Sequence, residues 1–106
     1  MKKRIEKEVK RWLRAYPQLP KSGKTPEARW QRLISEALGE MEPPKRRLCE
    51  LRFFRRVSRS AVEGAVPVSP NTYDMYQKDI IACVVKLNLF LQRSEIWFTT
   101  SYYYLN

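Results

Sequence analysis

The feature that most constrains the fold is a run of apolar side chains spaced three or four residues apart. The run comprises Tyr73, Tyr76, Ile80, Val84, Leu87 and Leu91. This spacing places all six on one face of an α-helix for about five turns, whereas a strand would require strict alternation. Just before the run, Ser69 can cap a helix and Pro70 suits a first helical position. We therefore predict a long helix that begins at Pro70 and packs one face against a core.

Prolines divide the rest of the chain into further helical segments. Thr25 and Ser58 are suitable N-cap residues, and Pro67 interrupts the chain before the long helix. The predicted segments are residues 2–16, a helix from Pro26 to near Gly39, a helix at about 44–56 and a short helix at about 58–65. Together with the long helix they predict an all-α fold of about five helices, in a single domain over residues 1–106.

The charge of the chain is strongly positive and unevenly placed. Lys and Arg number 21 against 11 Asp and Glu, which gives a net charge of +10 on 106 residues. Residues 1–60 hold 18 basic and 7 acidic residues (+11), and residues 61–106 hold 3 and 4 (−1). An excess of this kind favours a polyanionic partner, nucleic acid before membrane.

Several classes of site are excluded or disfavoured by composition. The chain has no histidine, so it has no Ser–His–Asp or Cys–His catalytic pair. Cys49 and Cys83 stand alone, which favours free buried thiols over a zinc site. The three glycines form no phosphate-binding loop, and the longest apolar run, residues 80–85, is too short to cross a bilayer. We expect a non-enzyme without metal or cofactor and without a membrane span.

Residues 45–87 combine a basic helix, a short helix, a three-residue turn at 67–69 and a longer helix with a polar start. This is the order of elements in a helix-turn-helix unit, whose second helix enters the major groove of DNA. Near the start of that helix, amide, hydroxyl, thioether and ammonium groups can meet base edges. The predicted base contacts are Asn71, Thr72, Met75 and Lys78.

Arginines crowd the preceding helix and turn, where they can neutralise phosphates and so give affinity without sequence information. The predicted phosphate contacts are Arg46, Arg47, Arg52, Arg55, Arg56 and Arg59, with the hydroxyl of Ser69. Ordinary capping after Ser69 is an alternative explanation for Asn71 and Thr72. We interpret the cations of residues 2–16 as a solvated face, and Trp12 and Trp30 as core residues rather than base-stacking platforms.

The C-terminal segment has aromatic and β-prone residues without a helical period, from Ile96 to Leu105. It could be a docked extended tail, one strand of an exchanged pair, or disordered, and it is the predicted surface for a homo-oligomer. The chain is therefore divided into a basic N-terminal part at 1–40, a helix-turn-helix part at 44–92 and a tail at 93–106.

Short phrases of the sequence resemble a known family. They are Leu48, Leu51–Arg52–Phe53–Phe54, Val62, Val68–Ser69, Thr72–Tyr73 and Asp79–Ile80–Ile81, with residues 9–17 near the start. They are similar to small phage late-gene activators of the ArpU-like and RinA-like group, whose DNA-binding module is similar to region 4 of sigma factors. Two positions differ from that module: Glu63 stands where a small residue is usual, and Pro67 where glycine usually opens the turn.

The resemblance implies a DNA-binding transcription regulator, encoded by a phage or prophage and acting in the cytoplasm of the bacterial host cell. Double-stranded DNA would be its partner, and RNA polymerase a second one. Two alternatives remain open at this point: a DNA-packaging protein similar to a terminase small subunit, and a small adaptor that binds the host polymerase through protein contacts.

Overall fold

The structure is a computed structural model that describes the backbone of residues 2–105 and the side chains of residues 3–90. Helices account for the regular structure, and residues 2–105 contain no strand, so the predicted all-α class is confirmed. The helices are α1 (Lys2–Ala15), α2 (Pro26–Glu40), α3 (Pro43–Cys49), α4 (Arg59–Ala65) and α5 (Pro70–Leu105).

Side-chain hydroxyls cap three of these helices where the sequence predicted a helix start. The Thr25 hydroxyl accepts a hydrogen bond from the backbone N–H of Ala28 at 3.2 Å. At α4, the Ser58 hydroxyl accepts from the N–H of Ala61 at 3.4 Å. The Ser69 hydroxyl accepts from the N–H of Thr72 at 3.2 Å and starts α5. Each cap satisfies a backbone donor that the first helical turn leaves unpaired.

One core joins α1, α2, α3 and α5. Fully buried side chains come from each of them, and they include Leu13, Ile34, Leu48, Ile80 and Val84. The rings of Trp12 and Trp30 stack with centroids 5.4 Å apart and planes 8° apart. Trp30 is buried and Trp12 is packed against the same core. These indoles therefore serve packing, as the sequence indicated, and are not free to stack on bases.

The third helix differs from its predicted course over 44–56. Its α-helical part ends at Cys49, and a segment of π-helix, Glu50–Phe54, continues it. The segment closes with a hydrogen bond from the N–H of Val57 to the carbonyl oxygen of Leu51, at 2.9 Å. Arg56 lies in this closing turn with φ of 55°, a left-handed conformation that favours glycine.

The predicted end of the long helix is wrong. The backbone of α5 continues to Leu105, so one helix crosses the boundary expected at residue 93. Apolar residues occupy neighbouring positions from Trp97 to Phe98 and from Tyr102 to Leu105, so they mark no single helical face and no period could be detected. The side chains of residues 91–106 lie outside the described part, and self-association through them stays a prediction.

Tyr73 gives a test of this core. Its side chain is 0% exposed, and its hydroxyl has no hydrogen-bond partner among the described residues. Tyr73→Phe keeps the ring and removes a desolvated hydroxyl, so we expect the free energy of unfolding in urea to rise by about 1 kcal/mol. The matched control is Tyr16→Phe, which removes a 2.7 Å hydrogen bond to Ser35 and should lower it by about 1 kcal/mol. An equal loss in both variants would contradict this account.

Candidate nucleic-acid interface

The candidate interface is built on the α4–α5 unit, which we define as α4, the turn at residues 66–69 and the first three turns of α5. Val66 is extended, with φ of −111° and ψ of 109°, as expected for a residue before proline. The N–H of Val68 donates to the carbonyl oxygen of Val66 at 2.7 Å and closes a tight turn around Pro67. Val62, Val66 and Tyr73 are buried in the shared core. Pro67 is thus accommodated within a short, hydrogen-bonded turn.

Arg59 connects the two helices of the unit. Its Nε lies 2.9 Å from Oε1 of Glu63, and its Nη1 lies 3.0 Å from Oδ1 of Asp74. The guanidinium also stacks over the Tyr73 ring, 4.4 Å from the centroid. Hydrogen bonds that Arg59 donates to Glu63 and Asp74 raise the pKa of its guanidinium above the usual value. Two of the three acidic side chains of the unit are therefore paired with this one cation, and the third, Asp79, pairs with Lys45 of α3 at 3.0 Å.

Three predicted phosphate contacts have structural roles that the sequence did not indicate. Besides Arg59, Arg46 donates from Nε to the carbonyl oxygen of Leu38 and from Nη2 to that of Met41, each at 3.0 Å. It thus satisfies carbonyl groups at the end of α2. Arg52 donates to the carbonyl oxygen of Val57 at 3.2 Å. These three arginines thus have protein partners, and their contact with phosphates stays a prediction.

The remaining arginines of the predicted cluster are Arg47, Arg55 and Arg56. All three are exposed, and none has a hydrogen bond or ion pair within the described residues. Arg56 and Arg59 are three positions apart in the chain, so their Cα atoms are at most about 11 Å apart. Arg55 and Arg56 therefore lie in the short segment that leads into α4. They are uncommitted cations next to the α4–α5 unit, and Lys78 is an exposed cation within it.

The start of α5 presents an exposed polar face. Asn71, Met75 and Lys78 are spaced at four and three residues and share one side of the helix, and Met75 is 52% exposed. Thr72 is different, because its hydroxyl accepts a 2.9 Å hydrogen bond from that of Ser69. Capping therefore engages Ser69 and Thr72, which was the alternative interpretation, and leaves the Thr72 methyl group for contact. The candidate reading face is Asn71, Met75 and Lys78.

The two cysteines do not form a chemical site. Cys49 is buried, and burial, with a smaller contribution from Glu50, raises the pKa of its thiol to about 12. Burial also raises the pKa of the partly exposed Cys83, whose Sγ lies 4.0 Å from Oε2 of Glu40. Both thiols are therefore protonated at neutral pH, the form that is neither nucleophile nor metal ligand. In the described part of the chain no three His, Cys, Asp or Glu residues are grouped to hold a metal ion.

The hydropathy of the helices gives a separate finding. Among the described residues, no helix combines the length and apolar character needed to cross a bilayer.

Arg59 gives a test of the α4–α5 unit. Arg59→Ala removes both ion pairs and the stacking on Tyr73, so we expect a lower urea midpoint of unfolding. Arg55→Ala is the matched control, because Arg55 is exposed and has no such contacts in residues 3–90. Adding Asp74→Asn to the Arg59→Ala variant should cause little further loss, since the two changes remove the same pair. Equal midpoints for Arg59→Ala and Arg55→Ala would contradict the bridging role.

Comparison with known proteins gives no relative. No protein-family model matches the chain, and no curated protein or solved structure matches it. The assignment of a function therefore depends on the residues and contacts described above.

Proposed function

We propose that this protein is a DNA-binding transcription regulator that acts without catalysis and inserts the start of α5 into the major groove. The observation that carries the proposal is the exposed face of Asn71, Met75 and Lys78 directly after a short turn, with the uncommitted Arg55 and Arg56 in the segment before α4. In helix-turn-helix proteins the N-terminal residues of the second helix contact base edges from this position.

Each side chain of the face has a chemical role in this proposal. The Asn71 amide can make paired hydrogen bonds to N6 and N7 of adenine, and the Met75 side chain can pack on a thymine methyl group. The Lys78 ammonium can donate to O6 or N7 of guanine. Arg47, Arg55 and Arg56 would contact phosphates, which set the affinity and the register on the duplex.

The pairing of Arg59 with Asp74 supports the proposal electrostatically. An unpaired carboxylate at Asp74 would face the duplex beside Asn71 and would repel its phosphates. Arg59 at 3.0 Å reduces that repulsion, and because Arg59 also pairs with Glu63 the three groups together keep a net charge of −1. The net positive field of the surface then comes from the exposed arginines of the closing turn before α4.

The resemblance to phage late-gene activators favours a phage or prophage regulator that works in the cytoplasm of a bacterial host, with RNA polymerase as a second partner. A protein-binding adaptor is the second candidate, because Leu89 and Phe90 are 54% and 65% exposed on α5. Capture of polymerase by a protein with no affinity for DNA would favour the adaptor. A ring of eight or more copies in solution would favour a packaging protein similar to a terminase small subunit.

Arg56→Gly separates phosphate binding from stability. Glycine adopts the left-handed conformation without strain, so the free energy of unfolding should be unchanged or higher by up to about 1 kcal/mol. The variant should nevertheless bind DNA more weakly, and the slope of log K against log salt should fall by about 0.9 for one lost phosphate contact. Lys21→Gln, which removes an exposed loop cation, is the control for net charge. Salt-independent or absent DNA binding by the wild-type protein would overturn the proposal.

Asn71→Ala tests base recognition. The duplex is first selected from a random library with the wild-type protein, and each position is then titrated. We expect the variant to lose about 1–3 kcal/mol of discrimination at one adenine position. Ser60→Ala on exposed α4 is the control and should keep the preference. An unchanged preference in Asn71→Ala would contradict base contact by this residue.

A further inference from the structure

Helix α1 carries six cations on the face opposite its core residues. At about 100° per residue, the six fall within an arc of about 120°, and the arc extends about 17 Å along the axis. Buried Val9 and Leu13 lie on the other side of the helix, and exposed Glu6 and Glu8 flank the arc. We name these cations the α1 basic face: Lys3, Arg4, Lys7, Lys10, Arg11 and Arg14.

The α1 basic face is uncommitted charge. Five of its side chains are exposed, and Lys10 is half-buried. Within residues 3–90 none of the six has a hydrogen bond or an ion pair, and Arg11 only lies 5.2 Å from the ring of Trp12. By contrast, three of the six arginines predicted to contact phosphates form hydrogen bonds or ion pairs within the protein. The larger set of uncommitted cations is thus on α1, outside the α4–α5 unit.

We propose that the α1 basic face is a second DNA-binding surface, which contacts the phosphate backbone of a DNA duplex. This inference rests on the proposed function. A stretch of duplex about 17 Å long carries about five phosphates on each strand, a number comparable to the six cations. Contacts to phosphates carry no sequence information, so the face adds affinity and no sequence preference.

The packing of α1 favours nucleic acid over a membrane surface. A helix that lies in a bilayer interface buries an apolar face among the acyl chains. In α1 that face is already used, because Val9 and Leu13 are 2% and 0% exposed in the protein core. The α1 basic face therefore adjoins no apolar surface that could enter the acyl chains. Attraction between charges is then the only interaction that contributes to its binding of a partner. The phosphates of a DNA strand form a rigid row of negative charges, which can bind these cations by charge attraction alone.

The test is a triple variant, Lys3→Gln/Lys7→Gln/Arg14→Gln, which keeps good helix formers at all three positions. The matched control, Lys21→Gln/Lys24→Gln/Lys86→Gln, removes three exposed cations elsewhere. Affinity is measured at several salt concentrations for the selected duplex and for a scrambled duplex of equal length. We expect the α1 variant to lower the salt slope by about 2.7, at about 0.9 per contact. It should weaken both duplexes by the same factor, and the control should change the slope by less than about 1.

A charge-preserving variant, Lys3→Arg/Lys7→Arg/Arg14→Lys, keeps the test meaningful if the neutral variant is poorly folded, and it should bind like the wild type. Equal losses in the α1 variant and its control would overturn the inference, because net charge alone would then explain both. So would unchanged DNA binding together with lost binding to phosphatidylserine vesicles. If the α1 variant is impaired while Arg56→Gly and Asn71→Ala bind normally, the proposed role of α5 fails and the α1 surface stands.

Discussion

The structure depends on burial of the apolar face of α5. Tyr73, Ile80 and Val84 are each 0% exposed, and full burial of an aliphatic side chain such as that of Ile80 or Val84 contributes about 1.5–3 kcal/mol. The same core includes Leu13 of α1 and Leu48 of α3, so the basic N-terminal helix and the arginine-rich helix are both held against α5. Because the buried face of a helix fixes its exposed face, this packing also determines that Asn71, Met75 and Lys78 face outward.

Positive charge in this protein has two distinct uses. Some cations are part of the fold: Arg46 satisfies the end of α2, Arg59 joins α4 to α5, and Lys45 pairs with Asp79 at 3.0 Å between α3 and α5. Others, such as Arg55 and Arg56, have no described protein partner. The net charge of the chain therefore overstates the number of cations that are available to bind a ligand. Only the uncommitted cations add to the field that a polyanion meets.

Much of the fold could be predicted from the sequence. The starts of α2, α4 and α5 were predicted correctly, since capping by Thr25, Ser58 and Ser69 involves only the next few residues. The end of α5 was not predicted correctly, because a segment with apolar residues on all sides of the helix shows no helical period in its sequence. For the candidate site, the exposed face of α5 followed from helical spacing. The i,i+4 spacing of Arg59 and Glu63 was also visible in the sequence and could have indicated their pairing.

The sequence by itself determined the all-α fold, the start of the long helix and the opposition of basic and apolar faces along α1. These follow from rules that act over a few residues, capping and the 3.6-residue turn. Only the tertiary structure decided which arginines are uncommitted. Arg59 meets Asp74 on another helix, and Arg46 reaches the carbonyl oxygens of Leu38 and Met41. Such contacts depend on how separate helices pack, because a long side chain takes the partner that the assembled core brings within reach.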